Sequence, residues 1–156
     1  MAKEVQGDRP LVTNRKALFE YEILDRLEAG ICLLGTEIKS VRDGGLNFRD
    51  AYVEISRGEA TLVDCHIASY SHGNRMNHET ERSRKLLLHR RELDKLTVKV
   101  SERGLTVVPL RAYLKNGRVK IEIGLARGKK LHDKRESIRR KEIERETRRA
   151  SRSRGD

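Results

Sequence analysis

Tryptophan is absent from the 156 residues, and the aromatic set is two phenylalanines and four tyrosines. These are Phe19, Phe48, Tyr21, Tyr52, Tyr70 and Tyr113, and a core must claim several of them. Stacking of successive bases along a single nucleic-acid strand is therefore poorly supported. Long apolar runs are missing too: no segment approaches the ~20 residues that span a bilayer. The stretch from Met1 to Pro10 is of mixed charge and lacks the apolar centre of a secretory signal. Cysteine is scarce. Cys32 and Cys65 are far apart, and both sit inside apolar runs. They read as buried thiols acting as small hydrophobes, in keeping with a reducing, cytoplasmic setting.

Catalytic signatures are thin as well. No Gly-x-Ser-x-Gly elbow frames a nucleophile. Glu37-x-Lys39 has the spacing of a carboxylate and lysine in some metal-dependent nucleases, with Asp25 or Asp50 as a further ligand. Two-metal chemistry needs several converging carboxylates, and a three-residue match arises often by chance. Cys65, His72 and His78 could supply three metal ligands, but without the paired short intervals of a zinc site. The expectation is a protein that is not an enzyme, with no metal and no cofactor.

What the chain does have is positive charge. Lysine and arginine number 35 against 24 acids, a net +11. From residue 128 onward there are 12 basic and 6 acidic residues, so over half the excess lies in under a fifth of the length. Such a patch attracts polyanions by Coulomb steering and counterion release. A second basic cluster, Arg75, Arg82, Arg84, Lys85, Arg90 and Arg91, surrounds the loop before a helical stretch. Folded RNA, read by shape and phosphate contacts, is the partner this distribution favours.

Periodicity divides the chain into three parts. Residues 1–12 read as a flexible leader, and residues 13–127 as a β-rich body. Phe19, Tyr21 and Ile23 alternate with Glu20, Glu22 and Leu24, and Thr36 to Arg42 is read as a further alternating strand. Ala51 to Ile55 and Ala60 to Ile67 form a hairpin around Arg57-Gly58. Leu86, Leu93, Leu96 and Val100 recur at intervals of seven, three and four, which predicts a helix over about 90–102 that stops at Gly104. Leu105 to Leu114 and Arg118 to Ala126 flank the hairpin turn Asn116-Gly117, with Pro109 favouring an edge or bulge. Six or seven short strands and one clear helix favour a small closed or partly open β-barrel of oligonucleotide-binding type. Residues 128–156 form a polar basic tail. Its Glu136–Arg140 and Glu144–Arg148 spacings each add only ~0.2–0.5 kcal/mol to a helix. Alone the tail is expected to be disordered, with order gained on a polyanion.

Four strings then carry a resemblance. They are Gly35-Thr36-Glu37-Ile38-Lys39-Ser40-Val41-Arg42; Asn77-His78-Glu79 with Arg82-Ser83-Arg84-Lys85-Leu86-Leu87-Leu88-His89; Gly104-Leu105-Thr106-Val107-Val108-Pro109-Leu110 with Tyr113; and Gly128-Lys129-Lys130 with Asp133-Lys134-Arg135-Glu136. Together, from Asn14 onward, they resemble the small protein B (SmpB) family of SsrA-binding proteins. The resemblance implies a mainly β, oligonucleotide-binding-type barrel with flanking helices. It implies binding to the tRNA-like domain of transfer-messenger RNA, and rescue of stalled ribosomes by trans-translation. Further implied partners are the small ribosomal subunit with its 16S rRNA and, indirectly through the RNA, elongation factor Tu and alanyl-tRNA synthetase.

By the same resemblance, Glu37, Lys39 and Arg42 lie on the RNA-facing side with Asn14 near them. Arg84, Lys85, Leu86, Leu87 and Leu88 support or contact the tRNA-like elbow, the leucines being equally readable as core. Gly128, Lys129, Lys130, His132, Asp133, Lys134 and Arg135 belong to the tail that enters the vacant decoding centre and message channel. Thr80 stands where the family usually has proline, and Phe48 where it usually has an aliphatic residue. The main alternative is a ribosome-associated protein with a basic extension threading rRNA.

Overall fold

Two dipeptide turns set the register of the sheet in the computed structural model, which describes residues 9–71, 77–129 and 131–153. In chain order the elements are β1 (Arg9–Thr13), α1 (Arg15–Glu20), β2 (Tyr21–Ile31), α2 (Gly35–Arg42), β3 (Leu46–Asn47) and β4 (Tyr52–Ser56). Then come β5 (Glu59–Val63), β6 (His66–Ile67), β7 (Arg84–Leu87), α3 (Arg90–Arg103), β8 (Thr106–Lys115), β9 (Arg118–Gly128) and α4 (Leu131–Ser153). Arg57-Gly58 joins β4 to β5, and Asn116-Gly117 joins β8 to β9. All four residues have positive φ: 52°, 73°, 52° and 74°. That geometry lets a two-residue turn follow the twist of its strands.

The strand order is β1-β8-β4-β5-β7-β2-β9, and β8 also pairs with β9. Six strands therefore close into a ring, with β1 added beside β8. The seam between β4 and β8 is narrow, resting on the single pair Val53↔Val107. The β8–β9 and β2–β9 ladders are long by comparison. Pro109 sits at a register shift of the β8–β9 ladder, the bulge its missing N–H requires. β3 and β6 form a separate small sheet.

Inward positions of the strands fill the ring with Val53, Ala60, Leu62, Leu86, Ile121, Ile123 and Leu125. Leu93 and Leu96 of α3 join the same core, and Gly104 ends that helix in the left-handed conformation at φ 61°. A second, smaller cluster of Ala17, Val108, Leu110 and Ala126 forms where α1 lies on the outer face of β8 and β9. Gly124 is required there, because a Cβ would come within 2.9 Å of Leu110 Cδ1 and 3.1 Å of Ile23 Cγ2. Among the described residues no helix is long and apolar enough to cross a membrane.

Several expectations are corrected. Residues 35–42 form the helix α2 and not a strand. The Leu34 N–H donates to Glu37 Oε1 at 2.8 Å, a carboxylate capping the first turn, and the buried residues Glu37, Ser40 and Val41 share a helical face. Phe19 lies in α1, not in a strand, because Asn14 caps that helix. Leu86 belongs to β7, so the α3 stripe begins at Leu93. Residues 9–12 of the expected leader pair with β8 as part of β1; residues 1–8 lie outside the described residues. Cys65 is buried as expected, but Cys32 is exposed just past the end of β2. The tail is helical over Leu131–Ser153, and its disorder in the free chain remains the expectation. Thr147 and Ser151 turn their hydroxyls back onto the helix, donating to Ile143 O at 2.9 Å and Arg148 O at 3.0 Å.

Candidate nucleic-acid interface

Two carboxylate oxygens on one buried residue organise the surface beside α2. Glu37 has no solvent exposure, and neither does the Arg84 side chain. Arg84 Nε donates to Glu37 Oε2 at 2.6 Å, and Arg82 Nη2 donates to Glu37 Oε1. Arg84 also donates from Nη1 to Cys65 O at 2.6 Å and from Nη2 to Thr80 O at 3.1 Å. Burial pushes the Glu37 carboxyl up. The Leu34 N–H and the two guanidinium groups outweigh it, leaving the carboxyl below its ordinary value. His78 adds a second tie: its ring meets Thr36 Oγ1 at Nδ1 and Ile67 O at Nε2, each at 2.9 Å. Together these contacts bolt α2 and the segment before β7 to the ring. They leave Glu37 unable to serve as a metal ligand, and both nitrogens of His78 are engaged. Burial pushes the Cys65 thiol up to about 12, so it stays protonated. His72 and Arg75 lie outside the described residues.

Outside the ring, one cross-strand row runs over four strands. Leu87 on β7 pairs with Gly30 on β2, Gly30 with Lys120 on β9, and Lys120 with Tyr113 on β8. Cross-strand partners share a face. The row is thus an exposed leucine, a gap with no side chain, a lysine and a tyrosine. Leu87 is 52 % exposed, unusual for a large aliphatic side chain within a strand. Beside it opens a groove of about 500 Å³ with an apolar floor, which Arg42 of α2 and Arg118 at the start of β9 border together with Lys120. Arg42 Nη2 donates to Gly117 O at 3.0 Å, which holds the hairpin tip against α2. Lys39 is exposed on the same helix, with Nζ 5.6 Å from the centre of the Tyr70 ring.

The next row along the face is charged and internally paired. Glu122 receives Arg26 Nη1 at 3.0 Å and Arg111 Nε at 3.1 Å. Glu28 accepts a hydrogen bond from Tyr113 Oη and another from Lys115 Nζ at 3.3 Å. Burial pushes Glu28 up, and the Tyr113 and Lys115 bonds overcome that to hold it below the usual carboxylate range. Burial, and then the Glu28 carboxylate, raise the Tyr113 hydroxyl, so Tyr113 stays a donor. An apolar strip with a cationic rim beside a fixed ion-paired row can hold a backbone phosphate and one unstacked base or sugar edge.

The candidate residues divide accordingly. Lys39, Arg42, Lys85 and Leu87 are exposed on this side of the body. Lys85 keeps a partner, Glu59 Oε1 at 3.5 Å. Leu86 is buried in the core and Leu88 is half-buried against it. Glu37, Arg84 and Asn14 do not face solvent. Asn14 Oδ1 accepts from Ala17 N at 3.1 Å, and its Nδ2 donates to Pro109 O at 2.8 Å. The cap holds α1 on β8 and leaves no free polar atom for RNA. In the tail, Gly128 ends β9, Lys129 is half-buried and Arg135 is exposed. Lys130 lies outside the described residues, as do the side chains of His132, Asp133 and Lys134.

Arg118, Lys120 and Gly30 were missed in the sequence reading. The alternation Arg118-Val119-Lys120, directly after a two-residue turn, places both cations on one face and was the available signal. Gly30 had none, because its role is to leave space between residues of two other strands.

Comparison with known proteins gives a consistent result. A family model described as “SmpB protein” matches residues 11–153. An SsrA-binding protein of Oleidesulfovibrio alaskensis is 51% identical over 147 residues, covering 94% of this chain and 95% of its own. One from Chlamydia trachomatis is 56% identical over 140 residues, covering 90% and 93%. A solved structure described as “tmRNA-SmpB: a journey to the center of the bacterial ribosome” aligns with a TM-score of 0.67 and 45% identity, covering 84% of this chain and 96% of its own.

Proposed function

Because the chain belongs to the SmpB protein family, we propose that it is a non-catalytic RNA-binding adaptor that carries transfer-messenger RNA to stalled ribosomes in trans-translation. The body binds the tRNA-like domain of that RNA. The observation that carries this reading is the row Leu87–Gly30–Lys120 with Arg42 and Arg118 at the rim. Arg42, Arg118, Lys120, Lys39 and Lys85 supply phosphate contacts, and Leu87 packs on an exposed base or sugar. Glu37, Arg84 and Asn14 act through position: they hold α2, β7 and α1 in place beneath this surface.

The tail addresses the ribosome. Lys141, Arg145, Arg148 and Arg152 follow one another at intervals of four, three and four, so they share a helical face. The 23 residues of α4 extend about 35 Å. Gly128 and Lys129 start the segment, and Lys130, His132, Asp133, Lys134 and Arg135 follow as contacts with 16S rRNA in the vacant decoding centre, the rest lying in the message channel. Ile138 and Ile143 are 45% and 56% exposed and add nothing to either core cluster. Free in solution, the distal turns therefore fray, and the ribosome orders them. Elongation factor Tu and alanyl-tRNA synthetase are reached only through the RNA.

Two measurements test the reading. Sequencing the RNA retained by the purified chain is expected to return transfer-messenger RNA; bulk rRNA alone would favour a ribosomal protein instead. With about 6 phosphates engaged, log K for the tRNA-like domain is expected to fall against log salt with a slope of about −4 to −5. A flat response would remove the electrostatic footprint.

A further inference from the structure

The ion-paired row beside the groove holds more positive charge than it neutralises. Glu122 lies opposite Arg111 on β8 and Glu28 on β2, and two residues along β9 from Lys120. Residues two apart on a strand share a face, so Glu122 belongs to the same outer face as the groove row. It is nevertheless buried. Each of its carboxylate oxygens takes one arginine: Arg26 Nη1 donates to Oε1 at 3.0 Å, and Arg111 Nε to Oε2 at 3.1 Å. Two cations on one anion leave a net charge of +1. A guanidinium carries five N–H donors, and each of these spends one on Glu122. Among the described residues neither guanidinium has a second acceptor. The Arg26 and Arg111 side chains are 51% and 39% exposed, so their remaining donors are open to solvent.

Both arginines are held in place. Their shared carboxylate is fixed by burial, and Arg111 also lies over the Tyr113 ring, 5.0 Å from its centre, a cation–π distance. Tyr113 is itself buried, and its hydroxyl donates to Glu28. It is also the cross-strand partner of Lys120, so the arginine pair continues the cationic rim of the groove along one face. Guanidinium forks suit phosphate oxygens, and forks already aimed spare the cost of ordering long side chains on binding. We infer that Arg26 and Arg111, aimed by Glu122, form a clamp for a further backbone phosphate of the RNA that lies in the groove. Glu122 is a positioning residue and does not touch the RNA. The clamp extends the proposed binding of the tRNA-like domain and rests on that reading.

The test is the affinity of the full chain for a transcript of the tRNA-like domain, measured across a salt series. Arg26→Gln is expected to weaken binding about ten- to a hundredfold, the worth of one charge-assisted contact. The salt slope is expected to shrink by about 0.7–0.9, one phosphate's share. Glu122 keeps Arg111 in that variant, so the urea midpoint is expected to hold. Glu122→Gln separates aim from charge. It makes the face more positive by one, so charge alone predicts tighter binding. The clamp predicts binding weaker by about three- to thirtyfold, because the RNA must then order both arginines itself. Should Glu122→Gln fail to fold, Arg26→Gln still decides. A loss of affinity in Arg26→Gln with the slope unchanged overturns the clamp, as does a folded Glu122→Gln that binds as well as the unaltered chain or better. Failure of the unaltered chain to bind the transcript overturns both readings. Binding that Arg118→Glu/Lys120→Glu weakens and the Arg26 and Glu122 variants leave unmoved overturns the clamp alone.

Discussion

Arg84→Met is expected to destabilise the chain by about 3–5 kcal/mol, the usual cost of breaking a buried ion pair from one side. The substitution leaves the Glu37 carboxylate with Arg82 and the Leu34 N–H and removes the donors to Cys65 O and Thr80 O. A domain of this kind is stable by only about 5–15 kcal/mol in total, so the loss is a large fraction of it. Urea unfolding measures it directly. The double variant Glu37→Leu/Arg84→Met is expected to lose less than the two single losses combined, since neither charge is left stranded. The same node gives the pH dependence. The Glu37 carboxyl sits below its ordinary value of 4.5 in the folded state. Its contribution is therefore complete above that value and is lost as the pH falls through the lower folded value. Stability that declined with rising pH between 5 and 7 because of this group would contradict the assignment.

The double reversal Arg118→Glu/Lys120→Glu is expected to cost about 10²- to 10⁴-fold in affinity for the tRNA-like RNA. Each charge-assisted hydrogen bond to phosphate is worth about 1.5–3 kcal/mol, and every 1.4 kcal/mol is about tenfold. Arg118 is exposed and Lys120 stands at the groove rim, so the urea midpoint is expected to hold. The salt slope is expected to shrink by roughly 1.5–2, because two phosphate contacts disappear. A fall in affinity without a change in slope would point to a packing role for these residues. Arg84→Met and this double variant thus separate cleanly: the first moves stability, the second moves RNA binding.

The parts of the fold that could be read from the chain were those specified by neighbours. Asn116-Gly117 and Arg57-Gly58 need no tertiary information to make a turn, and Leu93, Leu96, Val100 and Gly104 mark α3 from end to end. α2 is hard to read because Ile38 and Val41, three apart, resemble alternation over so short a stretch; the stronger signal is Glu37 at the third helical position. α1, at six residues, has too few turns to show a period, and only the cap Asn14 marks it. The site was legible as a composition, basic and RNA-like, but not as a division of roles. Glu37 and Arg84 are 47 residues apart, and that they neutralise each other underground follows from ring closure alone. Leu86 and Leu87 are adjacent with identical side chains. Strand alternation sends one into the core and the other into solvent, a choice that depends on the register with Gly30.

The central claim is that gripping the RNA and reaching into the ribosome belong to separate surfaces of one chain. A chain ending at Lys129 keeps β9 and its backbone bond to Glu20 O while removing α4. Its affinity for the tRNA-like domain should be measured beside its activity in reconstituted ribosome rescue. The account predicts affinity within about threefold of the full chain, since the lost cations are not groove residues, and no detectable rescue. Affinity that collapses with the tail, or rescue that survives without it, would contradict the account.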